Sequence, residues 1–202
     1  MSILGIKSVV SSRFPHKKTT LTEDEKLLIN NLVKDLSLTH INQVWTTDFT
    51  YIKTINEGTF YLISFIDQFS KLVVGWALLD NMKTESIFPL LKNIIKLRKP
   101  SPGLIIHSDK GPQFRSNAYR KFLSDHNFVY SYTSLNHSCD ENAAQESWHS
   151  LLKKEWLSDI KLYTYEDAYK AIFDYIEWFY NPNRIHSSIG YLSPMSFERS
   201  II

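Results

Sequence analysis

The chain has 202 residues, of which 43% are hydrophobic and 14% aromatic, which is enough for one packed domain. The net charge of +2 means that any nucleic-acid surface depends on local clustering of the 23 Lys and Arg residues. The single cysteine, Cys139, excludes an internal disulfide framework, and no apolar run approaches the roughly 18 residues of a membrane span. No signal-peptide pattern is present, so we expect a cytoplasmic protein.

Residues 1–41 are predicted to form an N-terminal arm and a helix. Arg13, His16, Lys17 and Lys18 make a basic cluster that is either a solvated arm or a contact for phosphates. Thr22 and Glu25 have the spacing of a capping box, and leucines then recur at helical intervals. This pattern predicts a helix over about 23–36.

Three strands are predicted next, over 44–54, 59–66 and 71–78. Each is rich in aromatic and β-branched residues, and short turns join them, so an antiparallel meander is the economical topology. Apolar residues at helical spacing predict a helix over 84–97, which Pro100 and Pro102 end.

The run 104–109 is predicted to be a buried parallel strand, because it is short, continuously apolar and follows a helix. A helix over 116–126, a strand over 128–132 and helices over about 141–156 and 164–179 complete the prediction. The tail from residue 180 contains two prolines and is predicted to be irregular. The order of elements indicates a mixed α/β core over 42–160, on which residues 161–202 pack.

Two acids stand out because they occur within or directly after apolar strands. Asp48 lies in the middle of the first strand, and Asp109 follows the fourth. A carboxylate in such a place costs free energy unless it is paired, hydrogen-bonded or bound to a metal. If the two strands are neighbours, their carboxylates converge, and Glu146 on the following helix is the best third member.

Glu146 shares one face of its helix with His149, Ser150 and Lys153. Three converging carboxylates repel one another unless cations lie between them. Oxygen ligands select hard ions, so we expect Mg²⁺ or Mn²⁺, and two such ions can promote an in-line phosphoryl displacement.

Five blocks of residues, in this order, resemble the core of insertion-sequence transposases that share the retroviral integrase catalytic domain. The blocks are TDFTYI at 47–52, DQFSK at 67–71, VGW at 74–76, HSDKG at 107–111 and ENAAQES at 141–147. The tail YNPNRIHSSIGYLSP at 180–194 is similar to the C-terminal signature of that family.

The resemblance implies a ribonuclease-H-like fold and a metal-binding triad of Asp48, Asp109 and Glu146. It also implies cleavage and joining of DNA strands, with water and then a DNA 3′-hydroxyl as nucleophiles. Assembly on DNA as a homo-oligomer is implied too. Full-length relatives usually carry or are fused to a helix-turn-helix region, so we expect either a truncated element or a separate helix-turn-helix partner from an upstream frame.

The chain departs from the family pattern in the segment before the third acid. Thirty-six residues separate Asp109 from Glu146, one more than usual. An extra residue in the loop is harmless, whereas one inside the helix would rotate Glu146 by about 100° away from the site. Asp140 and Glu141 also replace the usual aromatic and aspartate.

Four further residues are candidates for DNA binding. Lys153 is either a solvated lysine or, as in the resembling family, a phosphate contact near the cleaved end. Lys110 follows Asp109 in a turn, and Asn142 either holds the loop or contacts DNA. Arg184 either positions DNA or docks the tail on the core.

Both Asp67 and His107 are interpreted as structural residues. Asp67 is expected to form hydrogen bonds in a turn, and His107 to be a core histidine whose hydrogen bonds are satisfied. Two alternatives to a transposase stay open: a nuclease of the same fold that only hydrolyses, and an inactive remnant that binds DNA.

Overall fold

The computed structural model describes residues 31–133 and 143–201. Its centre is a five-stranded sheet of β1 (Val44–Thr54), β2 (Gly58–Asp67), β3 (Val73–Leu79), β4 (Ile105–Ser108) and β5 (Val129–Tyr132). The strand order is β3-β2-β1-β4-β5. The first three strands pair antiparallel as a meander, whereas β1, β4 and β5 pair parallel. The predicted mixed α/β sheet is confirmed.

The register between β1 and β4 decides where the two strand acids lie. The parallel pairing runs from Val44 opposite Ile105 to Thr47 opposite Ser108. Asp48 and Asp109 are the next residues on each strand, so both emerge at the point where the pairing ends. The condition for convergence of the two acids, that their strands are neighbours, is therefore met.

Helices cover both faces of the sheet. On one face lie α1 (Thr84–Arg98), α2 (Pro112–Arg115) and α3 (Asn117–Asp125). On the other lie α4 (Ala143–Leu151) and α5 (Tyr165–Phe173), and each continues without a break into a π-helical segment, Leu152–Leu157 and Asp174–Tyr180 respectively. The predicted helices over 84–97, 116–126 and 164–179 are confirmed to within a few residues.

Alternation along the strands divides the core into two layers. Trp45 of β1 and Phe65 of β2 are fully buried against α1 and α3. Ile52 and Leu62 point the other way and pack with Trp148 of α4. Both faces of the sheet are thus covered, as expected for strands that include buried parallel pairs.

The C-terminal segment is hydrogen-bonded to the edge strand of the sheet. The side chain of Asn181 accepts from the backbone N–H of Val73 at 3.0 Å and donates to its carbonyl oxygen at 3.1 Å. The hydroxyl of Tyr180 donates to the carbonyl oxygen of Lys71 at 3.1 Å. These contacts occupy backbone groups that an edge strand otherwise leaves open.

A last helix, α6 (Pro194–Ile201), packs at the end of this segment. The guanidinium of Arg98 donates to both carboxylate oxygens of Glu198, at 2.7 and 2.8 Å, and Ser70 donates to Glu198 at 2.7 Å. Bidentate, charge-assisted bonds of this kind are among the stronger ones in proteins. They fasten α6 to the end of α1 and to the turn between β2 and β3.

Two sequence predictions are wrong in part. The tail from residue 180 is not irregular, because Ser193 accepts from the N–H of Ser196 and Pro194 opens α6 in the preferred first position. The helix predicted over 23–36 does not reach 31–36, where the structure has turns fastened by the Asn31 side chain. The rest of that helix, and residues 134–142, lie outside the described residues.

Within the described ranges, no helix is both long and apolar enough to cross a bilayer.

Gly75 is expected to be intolerant of even one added methyl group. A Cβ there would lie 2.4 and 2.5 Å from Cγ1 and Cδ1 of Ile94, where α1 crosses β3. Gly75→Ala should lower the free energy of unfolding by about 1–3 kcal/mol through overpacking, measured by urea denaturation. In Gly75→Ala/Ile94→Ala the clash is gone, so the two effects should be less than additive. Additive effects would contradict the packing described.

Candidate active site

Asp48 is held in the middle of β1 with its side chain 22% exposed. Burial, together with the negative charges of Asp109 and Glu146, raises the pKa of Asp48 to about 7. The backbone N–H of Phe49, which donates to Asp48 Oδ1 at 2.7 Å, and the cation of Lys153 act in the opposite direction. The predicted convergence is therefore visible in the electrostatics: three carboxylates share one neighbourhood.

Asp109 follows β4 directly, in a tight turn. Its Oδ1 accepts from the backbone N–H of Gly111 at 2.9 Å. A Cβ at Gly111 would lie 2.4 Å from Nε2 of Gln113 and 3.0 Å from Oδ1 of Asp109. The absence of a side chain at Gly111 thus leaves room for the Asp109 carboxylate to fold back over the turn.

Gln145 fixes the position of α4 on the sheet. It is fully buried, donates to the carbonyl oxygen of Thr46 at 2.7 Å and accepts from the hydroxyl of Ser64 at 3.1 Å. Thr46 lies on β1 two residues before Asp48, and Ser64 lies opposite Asp48 on β2. The helix therefore meets the sheet directly beside Asp48.

Glu146 follows Gln145 and is exposed at the edge of this contact. From Ala143 to Leu151 the helix is regular, so Glu146 keeps its phase relative to Gln145 and His149. The rotation that an insertion inside the helix would cause is not seen, and the effect of Glu146 on the pKa of Asp48 agrees with its phase. Among the residues described, no three His, Cys, Asp or Glu side chains form a ready-made metal cluster.

His149 lies against Asp48, one turn after Gln145. Its Nδ1 is 3.7 Å from Oδ2 of Asp48, and the residue is 6% exposed. Burial, with a contribution from the cation of Lys153, lowers the pKa of His149 to about 3. The imidazole is therefore neutral at physiological pH and adds no positive charge beside Asp48.

Lys153 lies one further turn along the same face, in the π-helical continuation of α4. Burial lowers its pKa, whereas the charge of Asp48 acts to raise it. This mutual effect puts the lysine on the side of the helix that faces Asp48, as the helical spacing predicts.

The other predicted site residues are distributed differently. Lys110 is half-buried next to Asp109, and Asn142, like Cys139, lies outside the described residues. Arg184 donates to both carboxylate oxygens of Glu155, at 3.0 and 3.2 Å. This pairing supports the docking alternative for Arg184, and its role in DNA binding stays a prediction.

Asp67 and His107 have the structural roles expected of them. Asp67 is fully buried and accepts from the backbone N–H groups of Asn42, Phe69 and Ser70. Burial raises its pKa in spite of these bonds and of nearby Arg98. His107 is buried, with Nδ1 2.9 Å from the hydroxyl of Ser131.

Sequence reasoning missed the role of Gln145 and the contact between His149 and Asp48. The available signal was the spacing: residues 145, 149 and 152 lie on one helical face, and all three are buried. A buried glutamine between two apolar layers requires partners, but the sequence does not say that these lie on β1 and β2.

Comparison with known proteins decides the family. Two models described as "Integrase core domain" match the chain, one over residues 39–138 and one over residues 146–201. The transposase for insertion sequence element IS904 of Lactococcus lactis subsp. lactis (strain IL1403) is 38% identical over 172 residues. That alignment covers 85% of this chain and 66% of the relative. The chain belongs to the integrase-core family of insertion-sequence transposases.

A second relative of this transposase-family chain is transposase InsF for insertion sequence IS3A of Escherichia coli (strain K12). It is 36% identical over 169 residues, which is 84% of this chain and 58% of the relative. The chain thus spans about three-fifths to two-thirds of the length of these relatives.

Solved structures agree in fold at low sequence identity. The HTLV-2 integrase catalytic core domain in complex with magnesium matches with a TM-score of 0.56 at 18% identity, over 77% of this chain and 95% of that one. The catalytic domain of Mos1 mariner transposase matches with a TM-score of 0.53 at 16% identity, over 67% of this chain and 70% of that one. The ribonuclease-H-like fold of this transposase core is thereby confirmed.

Asp48→Asn should stabilise the metal-free protein in a pH-dependent way. Because the pKa of Asp48 is about 7 in the folded chain and lower when unfolded, its contribution to stability is complete below about pH 4 and is lost as the pH rises through 7. The variant does not titrate, so its advantage should grow by about 1 kcal/mol or more between pH 5 and pH 8.

Urea denaturation in EDTA across this pH range measures the difference. Asp125→Asn is the matched control, since Asp125 is an exposed carboxylate that pairs with Lys121. A flat difference for Asp48→Asn would mean that Asp48 is ionised without cost in the fold.

Gln145→Leu should lower the free energy of unfolding by about 1–3 kcal/mol, because the Thr46 carbonyl and the Ser64 hydroxyl lose a buried partner. Ser64→Ala in the same chain removes one orphaned group and should recover part of the loss. Thermal and urea unfolding measure both effects. If the effects of the two substitutions on the free energy of unfolding simply add, Gln145 and Ser64 are not coupled.

Proposed function

We propose that this chain is the catalytic core of a transposase that performs divalent-metal-dependent DNA strand cleavage and strand transfer for a mobile element. The observation that carries the proposal is Asp48, a strand carboxylate whose pKa is raised by burial and by Asp109 and Glu146. Membership of the transposase family supports the DNA substrate.

The donor set suits a hard divalent cation. Asp48, Asp109 and Glu146 offer carboxylate oxygens, the ligands that Mg²⁺ and Mn²⁺ prefer. Burial, followed by repulsion from Asp109 and Glu146, raises the pKa of Asp48, and a cation between the carboxylates would relieve the repulsion. These three residues would hold one or two Mg²⁺ or Mn²⁺ ions. When bound, such ions activate an attacking oxygen and stabilise a leaving one in phosphoryl transfer.

The residues around the acids have supporting tasks in this proposal. Gln145 keeps α4 in register with β1 through the Thr46 carbonyl and the Ser64 hydroxyl. The neutral imidazole of His149 fills the space beside Asp48 and, because it has no positive charge, does not compete with a metal cation for the carboxylate. Lys153 supplies a cation for a DNA phosphate near the acids.

The same proposal includes the partners. DNA ends and target DNA are the substrates, and joining two ends requires at least two copies of the catalytic core on the DNA. A separate helix-turn-helix protein is proposed to read the element ends.

Asp48→Asn, Asp109→Asn and Glu146→Gln should each reduce metal-dependent strand cleavage by more than about 100-fold, since even groups behind metal ligands contribute 10–100-fold. The assay uses purified protein, Mn²⁺ and a labelled duplex that carries the element end, and EDTA should abolish the products. Glu166→Gln, an exposed acid on α5, is the matched control and should keep full activity.

Circular dichroism of each variant separates loss of chemistry from loss of fold. Cleavage at the wild-type rate in any one variant would remove that residue from the proposed triad. Nicked but unjoined products would favour a hydrolytic nuclease of the same fold. Absence of any metal-dependent product in the wild type would favour an inactive remnant.

A further inference from the structure

The second half of β1 has a free edge among the described residues. Pairing with β4 ends at Thr47, and the next backbone bonds on that side are from Ile55 to the Leu162 carbonyl and from Asn56 to the Tyr163 carbonyl. Between these points the chain after α4 runs alongside β1 without pairing to it. The result is a groove of about 540 Å³ whose lining includes Lys153, the lysine whose charge acts on Asp48.

The charge of this groove has one sign. Its lining residues include Lys53 from β1, Lys153 from the end of α4 and Lys161 from the following loop, and none of its lining residues is acidic. All three lysines are exposed. Within residues 31–133 and 143–201 none of the three forms an ion pair.

Two other grooves on the same molecule contain charged side chains of both signs. The groove between α1 and α5 contains both Arg98 and Glu177, and the one beside the π-helical segments contains both Arg184 and Glu155. In each, the cation already bonds to a carboxylate of the fold. Lys53 and Lys161 of the β1 groove form no such bond among the described residues and are available to an anionic ligand, and Lys153 adds a cation beside Asp48.

The groove also offers aromatic and apolar surface. Tyr51 is 53% exposed and makes an edge-to-face contact with Tyr61 at 5.4 Å between ring centroids. Ile55 and Ile160 are 62% and 43% exposed on the rim. Cations interleaved with aromatic rings are typical of surfaces that follow a nucleic-acid strand.

We infer that this groove, lined by Tyr51, Lys53, Lys153 and Lys161, binds the backbone of the DNA strand whose reacting phosphate lies at Asp48. This inference rests on the proposed function and extends it from the acids to the path of the substrate. Lys53 and Lys161 become binding residues, and Tyr51 becomes a contact for a base or sugar.

The test compares the salt dependence of duplex binding, by fluorescence anisotropy, for the wild type and Lys53→Gln/Lys161→Gln. Each lost phosphate contact should reduce the slope of log K against log[salt] by about 0.9, and the affinity at 0.1 M salt by on the order of tenfold. The matched control is Lys92→Gln/Lys96→Gln, two exposed lysines of α1 on the opposite face of the sheet.

Tyr51→Leu provides a second, independent readout. It should weaken binding while leaving the salt slope unchanged, because stacking releases no counterions. Thermal melting curves serve to check that each variant is folded. Equal slopes for the groove variant and the α1 control would overturn the inference.

Three outcomes separate this inference from the proposed function. If the groove variants still cleave DNA in the presence of metal and bind it as the wild type does, the proposed function stands and the inference about the groove is overturned. A wild type that neither binds nor cleaves DNA overturns both. Displacement of the DNA by polyglutamate at equal charge concentration would assign the groove to an acidic protein instead of DNA.

Discussion

The hydrogen bonds from Gln145 to β1 and β2 set the register of α4 on the sheet, and the arrangement of the acids depends on that register. A helix with apolar contacts alone can slide or rotate by small amounts, because dispersion contacts are non-directional. Buried hydrogen bonds to the Thr46 carbonyl and the Ser64 hydroxyl have a defined geometry. They determine that Glu146, His149 and Lys153 lie beside Asp48.

Asp48 shows how the fold tolerates a destabilising group at a position to which the proposed function assigns a metal ligand. Its burial and its two acidic neighbours disfavour the charged form, and the adjacent His149 is neutral. The Phe49 N–H and Lys153 offset only part of this penalty. Strain of this kind concentrates where a ligand or substrate supplies the missing partner.

The sequence predicted the sheet and the two strand acids because their signals are local. Asp48 and Asp109 interrupt or end apolar runs, but the order of elements does not place β4 beside β1, because the strand that precedes the intervening helix is β3. The environment of α4 was less predictable, since the partners of Gln145 lie 81 and 99 residues away in the chain. The π-helical segments also have no clear sequence signature, and their contact, Trp156 of the first against Tyr175 and Phe179 of the second, joins residues distant in the chain.

The C-terminal helix was missed although its start signal, Ser193 followed by Pro194, was visible. The two prolines of the tail, Pro182 and Pro194, suggested irregular chain, and the partner of Glu198 is Arg98, one hundred residues away. Local sequence propensity does not predict contacts between residues so far apart in the chain.

The fastening of α6 has a consequence for how copies of such an element decay. A stop codon or frameshift that removed Pro194–Ile201 would leave the acids encoded and intact. It would also remove the carboxylate that accepts two hydrogen bonds from half-buried Arg98, leaving Asp67 at 3.8 Å, and would deprive Ser70 of its acceptor. Such an allele would fail because its protein is less stable. A survey of the three acids alone would still score it as functional.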